Sequence, residues 1–403
     1  MDRKRPLLTY LVLGSAVSLS VWAALSLPGR PARPIATPDP VPIARPEPKP
    51  EPVLQPTPQT RPVVDVVFVV DTTGSMSGLI DGAKRKIWEM ARFIAQGQPA
   101  PDLRIGLVAY RDVGDEYVTR FFDLTDDLDG VYQNLTAFAA GGGGDTPEHV
   151  AKALHEAVFR ASWSPGRNAL KLIYLVGDAP PHSDYQDGFN YRAIAMQAKE
   201  RGIRINTVRC GRDEDTRLAW LEIAQRTGGE FSSIDQSGGM VDVTTPYDAD
   251  LARLNRELTE TALPYGDLER RNAVRAKASK SLEAPAEAQA ARAGLFGLYN
   301  SRGRAAAVSE GDLVDDVANK KADVAAMPAA ALPEPMQGMG ADERVRYLET
   351  KKKERQEVLG RINALSQKRD EYLKTKAPEK ADSFDGRVRS ALRKQAADVG
   401  VLY

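Results

Sequence analysis

The stretch Val63-Val64-Asp65-Val66-Val67-Phe68-Val69-Val70-Asp71-Thr72-Thr73-Gly74-Ser75-Met76 decides the fold. It opens as a short, apolar, β-branched run. That pattern marks a strand buried on both faces, as in a parallel sheet, because no alternate position is left polar for a wet face. The run stops at the polar turn Asp71–Ser75. From Gly78 to Ala95 apolar residues return at helical spacing (Leu79, Ala83, Ile87, Met90, Ile94), which predicts a helix.

The same alternation continues outward. Leu103–Tyr110 reads as a second strand, and a short polar turn around Gly114 leads to Tyr117–Leu124, so these two form an antiparallel hairpin. Helical segments at Val131–Ala139 and Val150–Ala161 flank a glycine-rich loop. Leu170–Val176 is a strand and Tyr191–Arg201 a helix; strands at Ile203–Val208 and Glu230–Ile234 enclose a helix at Thr216–Arg226. Alternating strands and helices predict an α/β class: a doubly wound, mostly parallel sheet with one antiparallel edge strand and helices on both faces. On such sheets ligands bind at the carboxyl ends of the strands, where connectivity reverses.

Three motifs fall at those ends. Asp71-Thr72-Thr73-Gly74-Ser75-Met76 follows the first strand, Gly144-Asp145-Thr146-Pro147-Glu148 closes the glycine-rich loop, and Asp178 ends the fourth strand in Val176-Gly177-Asp178-Ala179-Pro180-Pro181. Asp71, Thr73, Ser75, Thr146 and Asp178 offer two carboxylates and three hydroxyls, hard oxygen donors of low total charge that suit Mg2+, or Mn2+. Each motif alone has a purely structural reading. Ser75 or Ser77 caps a helix, Thr146-Pro147 is an N-cap followed by proline at the first helical position, and Asp178 is a turn residue before two prolines. Arg111, Asp112 and Glu148 lie on the same face and are candidate partner contacts; Arg111-Asp112 also reads as a pair of hairpin charges, and Glu148 as support for a helix dipole.

In this order the motifs resemble the metal-ion-dependent adhesion site of the von Willebrand A family, which reads Asp-x-Ser/Thr-x-Ser, then a Thr, then an Asp. The resemblance implies that the hydroxyls of Thr73, Ser75 and Thr146 bind the ion directly and that Asp71 and Asp178 act mostly through water. It also implies a partner protein that completes the ion's shell with an acidic side chain. Tyr110-Arg111-Asp112, the Gly-Gly-Gly-Asp-Thr-Pro-Glu loop and the Asp-Ala-Pro-Pro-His turn are similar to the branch found beside alpha-type protein kinases, although no kinase segment is read here. The resemblance covers roughly residues 63 to 240.

Before this core, Asp2-Arg3-Lys4-Arg5 precedes an uncharged stretch, Leu7–Leu27, long enough as a helix to span about 30 Å of hydrocarbon. Residues 1–27 read as a single-pass anchor with a cytoplasmic amino end and the bulk of the chain outside the cytoplasm. A cleaved signal peptide, which leaves the chain secreted or periplasmic, is the competing reading. Residues 28–62 are a proline-rich, extended tether. The core is assigned to 63–263, ending in an amphipathic helix at Asp248–Leu263. Residues 264–340 are Ala-rich and charged, and read as a low-order linker. Residues 341–403 carry helices at Asp342–Leu373 and Arg387–Ala397 that read as a hairpin or coiled-coil pair.

The formal net charge of +0 gives no electrostatic case for nucleic acid, and one cysteine, Cys210, excludes an internal disulfide and a Cys-rich zinc site. His149, His155 and His182 are the only histidines; His182 reads as an exposed turn residue. No Ser-His-Asp, Cys-His or His-Glu-x-x-His arrangement is visible, so a non-enzymatic, cation-dependent binding module ranks first. A structural envelope protein whose metal only stabilises the fold ranks second, and a metal-assisted hydrolase third.

Overall fold

The computed structural model describes residues 61–144, 146–166, 168–302, 311–376 and 381–403. The 1–27 anchor and the tether up to Thr60 lie outside them, as does Asp145. Among the described residues no helix is long and apolar enough to cross a membrane.

The opening run is the central strand, β1 (Val63–Asp71), with β2 (Asp102–Tyr110) on one side and β4 (Ala169–Gly177) on the other, both parallel to it. With β3 (Thr119–Thr125), β5 (Ile203–Cys210) and β6 (Phe231–Ile234), the six-stranded order is β3-β2-β1-β4-β5-β6. Only β3 is antiparallel, paired to β2 as the short turn predicts. Because side chains alternate across a strand, Val64, Val66, Phe68 and Val70 enter one core while Val67 and Val69 enter the other. Two covered faces leave no polar register, which is why the run reads as unbroken apolar sequence. The charged residue inside the run, Asp65, is paired with Arg104 on β2.

Helices α1 (Ser77–Ala95) and α2 (Leu128–Thr136) cover the first face. The second is covered by α3 (Val150–His155, continued by a wider turn to Arg160), α4 (Tyr191–Glu200) and α5 (Glu214–Thr227).

The carboxyl-terminal half differs from the sequence reading. After α6 (Asp248–Glu260), the stretch read as a low-order linker contains α7 (Leu268–Leu282), α8 (Ala286–Ser301) and the short α9 (Leu313–Ala318). The last two helices are α10 (Ala341–Lys376) and α11 (Phe384–Gln395), and they do not pair with each other. Helix α10 packs on α6 and α8, and α11 packs on α1. The described residues from Arg61 to Tyr403 cluster as one unit.

The alanines of α8 explain the docking. Ala288, Ala291 and Leu295 join the core under α1, while Ala290, Ala293 and Phe296 pack with α6 and α10. Small side chains on both flanks let three helices approach one another closely. The charges that suggested solvation are inside: Arg292 pairs with Asp129, Arg355 with Asp312 and Asp315, and Arg369 with Asp248, all buried.

Candidate functional site

The end of β1 lies deep in the molecule, and Asp71 is 0% exposed. Its Oδ1 accepts from Thr73 N at 2.8 Å and from Thr73 Oγ1 at 2.7 Å, and Thr73 Oγ1 lies 3.4 Å from Ser75 Oγ. The three donors of the first motif therefore converge. Neither Ser75 nor Ser77 caps a helix: no side-chain cap bond closes the amino end of α1 or of the single turn Gly74–Met76. The purely structural reading of these hydroxyls fails there.

The glycine-rich loop is laid against that turn. Gly141 N donates to Thr72 O and Gly74 N to Gly142 O. At Gly143, with φ of +76°, a β-carbon would stand 3.0 Å from Thr73 Cβ, so the close approach requires glycine. On the other side of Thr146, Glu148 N donates to Pro180 O and His182 N to Glu148 O, which ties the loop to the turn after β4. Thr146 is thus bracketed by the other two motifs. It remains exposed, and among the described residues no hydrogen bond joins its hydroxyl to the Asp71–Ser75 turn. It is not a helix cap either: α3 starts at Val150, and its N-cap is His149, whose Nδ1 accepts from Lys152 N.

Asp178 completes the group from the end of β4. Its carbonyl accepts from Thr216 Oγ1 of α5, and its Oδ2 accepts from Gln236 Nε2 at 2.5 Å. Burial and the Asp178 carboxylate push Asp71 up to about 7.

The three candidate partner contacts are not surface groups. Arg111, Asp112 and Glu148 are 5%, 4% and 2% exposed. Arg111 is a brace: its Nε donates to Thr72 O and its Nη2 to Ala139 O, and it lies over the Tyr117 ring, fastening the β1 turn to the glycine-rich loop. Asp112 Oδ2 accepts from Tyr185 OH at 2.6 Å and lies 3.3 Å from His182 Nε2. The His182 side chain is only 9% exposed, stacked on Tyr185 and bound to Asp184, so the reading of an exposed turn residue is corrected. His149 is paired with Asp187, yet burial still lowers its pKa. Cys210 is buried at the end of β5, and Asp213 caps α5.

A bound divalent cation can be tested against these groups. Asp71 Oδ2, Asp112 Oδ1 and Glu148 Oε2 are buried without any hydrogen-bond partner. Orphaned buried carboxylate oxygens are costly and call for a counter-charge or a proton. Burial, with Asp71, Asp112, Asp115 and Asp178 nearby, holds Glu148 up to about 9. Among the described residues no three His, Cys, Asp or Glu side chains come together as a metal nest. The donors that converge at β1 are one carboxylate and two hydroxyls, with Asp178 electrostatically coupled to them. Such a set fits a small oxygen-seeking ion that keeps some water, as Mg2+ and Mn2+ do, not a softer metal that selects imidazole or thiolate ligands.

A family model described as von Willebrand factor A domain matches residues 65–245, the sheet and every site segment just described. Residues 65–245 are a von Willebrand factor A domain. The domain is 33% identical over 147 residues to von Willebrand factor A domain-containing protein 7 of Rattus norvegicus, a match taking in 36% of this chain and 14% of that protein. It is 28% identical over 142 residues to alpha-protein kinase vwkA of Dictyostelium discoideum, taking in 33% and 20%. The chain therefore spans only a small part of the curated relatives it matches. Among solved structures, the conserved hypothetical protein BatB of Bacteroides thetaiotaomicron aligns with 43% of this chain and 90% of its own at 17% identity, TM-score 0.33. The SpRpn10 VWA domain aligns with 44% and 91% at 12% identity, TM-score 0.35. Such domains generally mediate protein–protein interaction.

The sequence reading did not reach Gln236 or Tyr185, whereas Asp115-Glu116, like Arg111-Asp112, reads as hairpin charges or partner contacts at the carboxyl end of the second strand. Gln236 follows β6, so its place at a strand's carboxyl end was the available signal. Asp115 Oδ2 accepts from Gly143 N and so joins the hairpin turn to the glycine-rich loop.

Proposed function

We propose that this von Willebrand A domain is a non-enzymatic, cation-dependent protein-binding module, held outside the cytoplasm by the Leu7–Leu27 segment. Thr73, Ser75 and Thr146 would hold Mg2+, or Mn2+, by their hydroxyls, with Asp71 and Asp178 orienting its water. The bound ion supplies a localised positive charge to which a partner's acidic side chain can bind. The observation that carries this reading is Asp71: fully buried, one carboxylate oxygen orphaned, beside two hydroxyls that cap nothing. The non-catalytic part is supported by the histidines at the site, since His149 caps α3 and pairs with Asp187, and His182 is enclosed by Asp112 and Asp184.

Calorimetric titration of the full chain in detergent with Mg2+ and Mn2+ tests the ion. Wild type binds, and Asp71→Ala does not; equal affinity in the two would remove the assignment. Fractionation tests the anchor: the chain stays in the membrane pellet through a carbonate wash, whereas a mature amino terminus near Ala24–Pro28 would show a cleaved signal instead.

A further inference from the structure

At the carboxyl ends of β5 and β6 lies a cavity of about 600 Å3, lined by Arg209, Gly211, Arg212, Ser233, Gln236 and Asp382, among others. It adjoins the candidate ion site through one side chain. Gln236 lines the cavity, and its Nε2 donates to Asp178 Oδ2 at 2.5 Å and to Ser75 O at 3.4 Å. Gly211 leaves room for that side chain: its φ is +74°, and a β-carbon there would stand 2.4 Å from Gln236 Oε1.

The cavity's charge is unlike that of the site beside it. Arg209 is held by neutral acceptors: its Nε and Nη2 donate to Ser233 Oγ at 3.0 and 2.9 Å, and its Nη1 to Asp213 O at 2.8 Å. Arg212 is exposed, and neither arginine makes an ion pair among the described residues. Two carboxylates, Asp235 and Asp382, also line the cavity, and Asp382 is engaged by Arg387 at 3.1 Å. A guanidinium fixed in orientation with donors to spare is a prepared site for a carboxylate.

We propose that this cavity takes a second acidic side chain of the partner segment, beside the one offered to the ion. The proposal rests on the ion-binding reading of the neighbouring site and adds the partner's chemistry. The partner is a peptide segment with two acidic residues, one for the ion at Asp71–Asp178 and one for Arg209 and Arg212, with Gln236 between them.

The test uses the full chain in detergent on an array of synthetic peptides bearing one glutamate, two glutamates at every spacing, or a glutamate and a lysine, in Mg2+ or in EDTA. Wild type in Mg2+ is expected to retain particular two-glutamate peptides at least about tenfold better than one-glutamate peptides, the worth of one charge-assisted pair. Arg209→Gln and Arg212→Glu each erase that preference while one-glutamate peptides bind as before. Arg212→Glu also favours the glutamate–lysine series, and being a surface change it separates loss of charge from loss of fold. No preference for two acids in wild type, an unchanged preference in Arg212→Glu, or an array that retains nothing overturns the proposal. If two-acid binding depends on the arginines but persists in EDTA and in Asp71→Ala, the cavity stands and the ion-binding reading falls.

Discussion

Arg292 on α8 binds both carboxylate oxygens of Asp129 on α2, its Nε to Oδ1 at 2.7 Å and its Nη2 to Oδ2 at 2.5 Å, across 163 residues of sequence. Both side chains are almost wholly buried, 0% and 2% exposed. The same guanidinium donates to Asn255 Oδ1 on α6, so one arginine joins the sheet-covering helix α2 to the carboxyl-terminal helices. Helix α8 is thereby tied into the interior beside the sheet-covering helix α2.

Removing one partner of such a pair leaves a buried charge uncompensated. Arg292→Ala should therefore cost about 3–5 kcal/mol, whereas replacing both members together with Met and Leu should recover most of it. Denaturant unfolding of the full chain gives the comparison. A loss below about 1 kcal/mol for the single variant would mean that water or a neighbour takes the place of the guanidinium.

Cation affinity should depend on pH through Asp71, whose carboxyl burial raises from 3.8 to about 7. Without the ion, the folded protein holds this proton more tightly than the unfolded chain. The group's contribution to stability is full below pH 3.8 and is lost as pH rises through about 7. The ion needs the carboxylate, so its affinity runs the other way, falling about tenfold for each pH unit below 7. The rise in Tm on adding Mg2+ should be larger at pH 8 than at pH 6. An Mg2+-induced rise that is the same at both values rules out Asp71 as the titrating ligand.

Glu148 makes a separate case, because its amide analogue mimics the state the fold prefers. Burial and the surrounding carboxylates hold it protonated up to about 9, against an ordinary 4.5. In EDTA, Glu148→Gln should match or exceed wild type in Tm, with the gap widening from pH 5 to pH 9 as the unfolded glutamate ionises. A glutamine variant that is less stable than wild type at pH 8 would show a charged, partnered Glu148.

Much of this was legible in the sequence, for identifiable reasons. Val63–Val70 had to be a central strand, since a period-2 alternation is missing only where both faces are dry. Asp71, Thr146 and Asp178 were legible as strand-end and loop-end residues of an α/β sheet, where side chains must meet. Arg111, Asp112 and Glu148, which read as candidate partner contacts from their place at strand and loop ends, are held inside by backbone carbonyls, a tyrosine or a proton, partners that the sequence does not display. Hidden partners also concealed α7 to α9. Arg292, Asp312 and Asp315 look like a solvated, low-order composition until their partners Asp129 and Arg355, distant in sequence, are known. Pairing across such distances leaves no periodic trace.

Thr146 carries the sharpest test, because its competing role has gone. As a helix cap its loss would cost about 1 kcal/mol of stability. Helix α3, however, begins at Val150 under His149, and the exposed Thr146 hydroxyl closes no helix. Thr146→Ala should therefore leave the Tm in EDTA unchanged within about 1 °C, against the fall of about 2 °C that a lost cap would cause in a domain of this size. In Mg2+ the same variant should lose both the ion-dependent rise in Tm and the retention of acidic peptides, because a small octahedral ion tolerates the loss of a direct oxygen ligand poorly. Thr146→Ser, which keeps the hydroxyl, should restore both. A variant that binds Mg2+ and acidic peptides as wild type does would move the ion's third hydroxyl away from the glycine-rich loop.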